Sequence, residues 1–274
     1  MMRGFGHGVR SVLRDLRAGE LRVLIGAVTL AVTAMTAVGF FTDRVSQAVA
    51  IRSAEVLAAD LVLRSNRPIG DEYRQRAGGL GLAVSTAVSF PSVVVAGDAT
   101  SLADIEAVGP GYPLRGSLRT SDRPFGASRP ETGIPQPGEA WADAKLLARL
   151  DAAPGVELRV GSAKVKVSRV LDYRPDQGWS FVDLAPTLLM NQQDVEATGL
   201  VQPGSRVTYR QMFAGDASAV SALRRYMSPR LGVSERIRDL SDAGPEIRSA
   251  LDRAQRFLGL AALTSTLLAA VAVA

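Results

Sequence analysis

Residues 21–43 read LRVLIGAVTLAVTAMTAVGFFTD, and from Val23 to Thr42 there is no Asp, Glu, Lys or Arg, although 22% of the chain is charged. A helix needs about 20 predominantly apolar residues to cross a hydrocarbon core about 30 Å thick, so this run is just long enough to span. Its Thr29, Thr33 and Thr36 suit that reading, because each hydroxyl can return to a backbone carbonyl one turn back. A second uncharged run, FLGLAALTSTLLAAVAVA, follows Arg256 and is still apolar at Ala274. We therefore expect residues 23–42 to be one transmembrane helix and residues 257–274 to begin a second, with the chain forming the front part of a longer membrane protein. A secretory signal has a shorter apolar core of about 7 to 15 residues and a small-x-small cleavage site. Here the run ends instead in GFFTDR. A buried core helix would need an apolar enclosure that the rest of the chain does not offer.

Orientation follows from the positive charge. Residues 1–22 hold Arg3, Arg10, Arg14, Arg17 and Arg22 against Asp15 and Glu20, a net of +3 out of +5 for the whole chain. Basic residues beside a span stay on the cytoplasmic side, so Arg10, Arg14, Arg17 and Arg22 place the N-terminus inside and residues 43–256 outside. Val9, Val12, Leu13 and Leu16 fall on one helical stripe with Arg10, Arg14 and Arg17 off it, a pattern suited to an amphipathic leader lying among lipid headgroups. A plain basic flank that retains topology reads equally well.

The region between the runs restricts the chemistry. Over residues 23–274 the charge nearly balances at +2, so no nucleic-acid surface is expected. There is no cysteine, so the outer domain must be held by its core rather than by disulfides. The single histidine, His7, precedes the first run, which denies the outer domain a Ser-His-Asp triad and makes a zinc site improbable. A Ser-Lys dyad around GSAKVK would need a geometry that spacing alone does not show, and the carboxylates Asp172 and Asp176 are read as a solvated loop rather than an acid-base pair. GFGHGVRS is rich in glycine but lacks the GK[ST] ending of a phosphate loop, so any ATP must be used by a partner. We expect no catalytic, cofactor or metal site in this chain.

The coarse pattern alternates strands and helices. RVSQAVAIRSAEVLAA is helical, with Val45, Val49 and Val56 on one stripe, and predicts a rigid stalk continuing the first span outward. DLVLRS, SRVTYRQMF and ERIRDL read as strands, and VELRV with KVKVSRVLDY as a strand pair turning at VGSA. LAVSTAVSFPSVVVAG reads as strand broken at Pro91, and LADIEAVG as another strand. DEYRQRAGG, AWADAKLLARL, DLAPTLLMNQQDVEATG and DASAVSALRRYMSP read as helical, the last opening at Asp216 and stopping at Pro229. The Gly- and Pro-rich stretch from Gly109 to Glu139 reads as a long loop or a crossing between subdomains. PEIRSALDRAQRFLG starts a helix at Pro245 that carries Ile247 and Leu251 into the second run as a second stalk. The fold class is thus an α+β domain between two transmembrane helices that extend outward as stalks.

LRDLRAGELRVLIGAVTLAVTAMTAVGFFTDRV, LAADLVLRS, AVGPGYPLRG, SFVDLAPTLLMN and RFLGLAALTSTLLAAVAVA together resemble the front of a YbbP-like ABC transporter permease, in the broader FtsX-like, MacB-type family. The resemblance runs from about Ser11 to the end with the blocks in the family's order. It implies a bacterial inner-membrane, multi-pass protein whose large periplasmic core domain has two subdomains, the inserted one at about residues 138–200. It also implies a separate cytoplasmic ATPase subunit that binds ATP and Mg, contact with membrane lipids, and in many members a neighbouring periplasmic lysophospholipase/thioesterase. Such permeases are thought to work by mechanotransmission, the stalks carrying motion to the periplasmic domain instead of a pore passing substrate. The layout alone also fits a membrane receptor with a sensing domain between two spans.

Overall fold

In the computed structural model, residues 57–177, 185–202 and 204–239 are described continuously, with isolated positions between 26 and 44 and at 253, 256 and 260. The chain divides into two compact units, residues 1–50 with 244–274 and residues 51–243. In the first, the described positions from Gly26 to Arg44 are helical and exposed, and Thr36 donates its hydroxyl to the Val32 carbonyl at 2.7 Å, the back-bond read from the sequence. Among the described residues no helix is long and apolar enough to cross a membrane. The leader 1–22 and most of both apolar runs lie outside the described residues.

The second unit is an α+β structure built on one hydrogen-bonded sheet. In chain order it holds β1 (Leu61–Ser65), α1 (Glu72–Gly79), β2 (Ala83–Ala96), β3 (Ala99–Val108), β4 (Leu118–Ser121), β5 (Arg129–Glu131), β6 (Glu139–Asp143) and α2 (Ala144–Arg149). There follow β7 (Glu157–Val160), β8 (Ala163–Tyr173), β9 (Thr187–Asn191), α3 (Val195–Thr198), β10 (Thr208–Ala214), α4 (Ala217–Met227) and β11 (Glu235–Asp239).

Two subdomains share β2. In the first the strand order is β11-β1-β10-β2, every neighbour antiparallel, with α1 joining β1 to β2 and α4 joining β10 to β11. Two βαβ units, each split by a strand of the other, make this a ferredoxin-like sheet. Period-two alternation sends Leu61, Leu63 and Phe213 to one face, where they bury Tyr73 and Ala77 of α1 and Leu223 and Met227 of α4. Val62 and Met212 point to the other face.

The second subdomain is a closed ring. β2 pairs β3, β3 pairs β9, β9 pairs β6, β6 pairs β8, β8 pairs β7, and β7 returns to β2 through Val94↔Val160 and Val95↔Arg159. Closure removes the free edges that an open sheet must protect. Ala103, Ile105, Ala107, Ala140, Ala142, Val165, Val167, Leu188 and Met190 fill the interior, and Leu146, Leu147 and Leu150 plug it from α2. Full burial of one such leucine contributes about 1.5–3 kcal/mol. Small alanines recur because a six-stranded ring is narrow.

Four local readings are corrected. β2 runs unbroken through Pro91, which sits between the last β10 pairing at Ser89 and the first β7 pairing at Val94. Only β3 flanks it there, so its missing N–H costs no ladder bond on the open side. Glu139 to Asp143 is strand, not the start of the helix, because Ala140 and Ala142 line the ring while Trp141 faces outward. Asp143 then caps α2, accepting from the Leu146 N–H at 2.7 Å. Thr187 to Asn191 is likewise strand rather than helix, with all five residues buried between β3 and β6. The long Gly- and Pro-rich stretch contains β4 and β5, which extend the sheet beyond β8.

Candidate functional site

The chain enters the sheet domain through a short, strongly fastened passage. Leu57 is helical, Ala58 turns with φ +57, and the Asp60 carboxylate immediately before β1 is almost buried. Arg115, from the loop between β3 and β4, grips that carboxylate with both ends of its fork, Nε to Oδ1 at 2.9 Å and Nη2 to Oδ2 at 2.6 Å. Its own N–H donates to the Ala58 carbonyl at 2.9 Å, and the Gly215 N–H donates to Asp60 Oδ2 at 3.0 Å. The Asp60 hydrogen bonds hold the Arg115 guanidinium's pKa above its ordinary value. A bidentate arginine fixes direction as well as distance, so the first residues of the domain are keyed to the loop and to the end of β10.

The chain leaves beside the point where it entered. Leu61, the first residue of β1, is the cross-strand partner of Asp239, the last of β11. Asp239 is buried and pairs with Arg224 of α4 at 2.5 Å.

Behind the Arg115 loop lies a buried ionic cluster on the outer face of the ring. Glu106 projects from β3 and Arg210 from β10, while Arg174 and Asp176 follow β8. Arg210 bonds both Glu106 and Asp176. Arg174 Nη1 lies 2.8 Å from Glu106 Oε2, and its Nε 3.4 Å from Asp176 Oδ1. The carboxylates are 4% and 5% exposed and the guanidiniums 12% each, so four charges share one nearly dry site and sum to zero. Tyr112, wholly buried in the same loop as Arg115, donates its hydroxyl to Asp176 Oδ1 at 2.5 Å. Burial, and then the Asp176 charge, push the Tyr112 phenol well above its ordinary pKa. Burial lowers Arg210 to about 10, with the neighbouring Arg64 adding to the effect.

Chemically, the cluster has no nucleophile beside a base and no group free to exchange protons with substrate; its charges are spent on each other. What it does is fasten. β3, β10, the loop after β8 and the Tyr112–Arg115 loop meet there, so the ferredoxin-like half and the ring are tied at one point to the passage where the chain enters. Asp176, read from sequence as a solvated loop residue, is instead held dry by two guanidiniums and a phenol. Asp172 accepts a bond from Ser121 Oγ at 3.0 Å, and Lys164 pairs with the exposed Glu157 at 2.8 Å. Among the described residues no group of three or more His, Cys, Asp or Glu is placed to hold a metal ion. Sequence reasoning missed Glu106 and Arg210. The available signal was charge inside two largely apolar strands, Glu106 with Asp104 in ADIEAV and Arg210 in TYRQMF. The topology residues Arg10, Arg14, Arg17 and Arg22 and the stalk residues Val45, Val49, Val56, Ile247 and Leu251 all lie outside the described residues.

Comparison with known proteins bears on what such a fastened domain belongs to. Along nearly its whole length the chain is similar to an ABC transporter permease, and the resemblance to the YbbP-like permeases read from the sequence holds. The relative is the uncharacterized ABC transporter permease YbbP of Escherichia coli K12, 34% identical over 261 residues that make up 95% of this chain and 32% of the relative. The chain therefore spans about a third of that permease's length. No protein-family profile matches. Among solved structures, the periplasmic region of MacB from Actinobacillus actinomycetemcomitans aligns with a TM-score of 0.45 at 14% identity, covering 71% of this chain and 95% of that one. The extracellular domain of the noncanonic ABC-type transporter YknZ from Gram-positive bacteria aligns at 0.43 and 11% identity, covering 65% and 99%.

Proposed function

We propose that this chain is part of the permease subunit of a bacterial inner-membrane ABC transporter, its N-terminus cytoplasmic and its sheet domain periplasmic. ATP and Mg are bound by a separate cytoplasmic ATPase, and this chain contributes no catalytic group. The domain is worked by mechanotransmission and handles or extracts a hydrophobic, lipid-like compound at the membrane. A periplasmic lysophospholipase/thioesterase is the partner expected beside it. The observation that carries this reading is the pairing of Leu61 with Asp239, which makes the incoming and outgoing chain neighbours at one end of the sheet. Two stalks leaving from adjacent strands can act on the domain as one lever. The Asp60–Arg115 fork fastens the chain just before β1 to the loop after β3.

The test is a kink in the first stalk. Ala50→Pro removes a backbone bond and clashes with the carbonyl one turn back, costing a helix about 3 kcal/mol or more. In the full permease with its ATPase, we expect this change to spare assembly and basal ATP hydrolysis while abolishing periplasmic output, with an Ala→Ser change at the same position as control. Full transport by the kinked variant would reduce the stalk to a tether and end the mechanotransmission reading.

A further inference from the structure

The sequence ERIRD of β11 alternates, and the fold turns that alternation into a separation of charge. Ile237 packs on the helix side of the sheet, Glu235 accepts there from the Tyr73 hydroxyl, and Asp239 pairs with Arg224. Arg236 and Arg238 therefore point to the opposite face. In register, Arg236 is opposite Arg64 of β1, and Arg64 is opposite Arg210 of β10. Three arginines thus stand side by side across three strands, with Arg238 one step along beside Val62. Strands lie about 4.8 Å apart, so the row is about 10 Å long.

Only its inner end is neutralised. Arg210 is committed to Glu106 and Asp176, whereas Arg64, Arg236 and Arg238 are exposed and, among the described residues, have no ion pair. Arg236 Nη1 donates to the Val233 and Glu235 carbonyls at 3.1 and 2.8 Å, which steadies its guanidinium without cancelling its charge. Burial, and then Arg238 one step along the row, lower the Arg64 pKa, with the Asp176 charge working the other way. Like charges directly opposite in a ladder oppose folding, so the row favours an anion beyond the ion pairs found among the described residues. Neighbouring guanidinium forks offer more donors than the two oxygens of a carboxylate can accept, and suit the three or more oxygens of a phosphate.

We propose that Arg64, Arg236 and Arg238 form a binding site for a phosphate group, presented by a lipid headgroup or by a soluble phosphate. The site stands independently of the transport reading above. The test uses the full chain in non-ionic detergent, titrated with inorganic phosphate, dihexanoyl phosphatidate and, as a zwitterionic control, dihexanoyl phosphatidylcholine, followed by phosphorus NMR and calorimetry. Arg64→Gln and Arg236→Gln should each weaken phosphatidate or phosphate binding at least tenfold. Arg225→Gln, an exposed arginine on α4, should leave it unchanged. Phosphatidate binding tighter than phosphate identifies the lipid source, and equal binding the soluble one. Since each variant removes one of several like charges standing next to one another, its melting temperature should equal or exceed that of the unaltered chain. Absence of binding by the unaltered chain, equal binding by the variants, preference for a glutamate-rich peptide over phosphate, or a lowered melting temperature in the variants would each overturn the proposal.

Discussion

Replacing Glu106 by Gln keeps the shape of the side chain and removes its charge, leaving Asp176 alone to face Arg174 and Arg210. The site then changes from neutral to a net charge of +1 in surroundings where the Glu106 side chain is 4% exposed and each guanidinium 12%. Breaking a buried ion pair from one side costs about 3–5 kcal/mol, because the surviving charge stays buried without compensation. Asp176 still touches both arginines, so the low end, about 3 kcal/mol, is expected. For a domain of this size about 2–4 °C accompanies each kcal/mol, a fall of about 6–12 °C in melting temperature. The assay is thermal and urea unfolding of residues 43–256, which we expect to fold alone with one cooperative transition. The charge-balanced pair Glu106→Leu with Arg174→Met should cost less than the two single changes together. A Glu106→Gln variant within about 1 kcal/mol of the parent would refute the claim that the cluster fastens the two subdomains.

Three further outcomes are expected. Tyr112→Phe loses a hydrogen bond to a charged group and should cost about 1.5–3 kcal/mol at neutral pH. It should also flatten the alkaline limb: the folded phenol keeps a proton that the unfolded one releases near pH 10, so parental stability falls as pH rises past that value, and the variant's falls less in parallel urea melts. Gly161→Ala would place a Cβ 2.2 Å from the Thr198 carbonyl oxygen in a residue at φ +58, and we expect a loss of about 3 kcal/mol in denaturant unfolding. For topology, a cysteine at Ser218, exposed at the start of α4, should react with an impermeant maleimide in intact cells while one at Ser11 should not; the reverse pattern would invert the orientation.

How much of this was legible in the sequence depended on whether local chemistry or distant pairing decided the outcome. Asp216 opening α4 and Gly199 closing α3 in the left-handed region are local, and both were readable. The strand pair turning at Gly161 and Ser162 was readable for the same reason. Thr187 to Asn191 was not, because burial on both faces erases the alternation that marks a strand. Ala140 and Ala142 favour helix in isolation, and only their placement inside the ring makes them strand. The ionic cluster was hidden most deeply: Glu106 and Arg210 are 104 residues apart and meet only after β2 has brought β3 and β10 to its two sides.

The Leu61–Asp239 rung also sets how the domain can bear load. Among the described residues β11 is an edge strand joined to the sheet through β1, by five residue pairs running from Leu61↔Asp239 to Ser65↔Glu235. Since the domain's incoming and outgoing ends emerge at the same rung, a pull that moves them together puts no load across the β1–β11 ladder. A pull that separates them opens the ladder like a zip, one rung at a time from Asp239. The Arg224–Asp239 pair sits at that first rung and acts as its latch. Parting the two ends is therefore the direction of load that the β11 ladder resists one rung at a time.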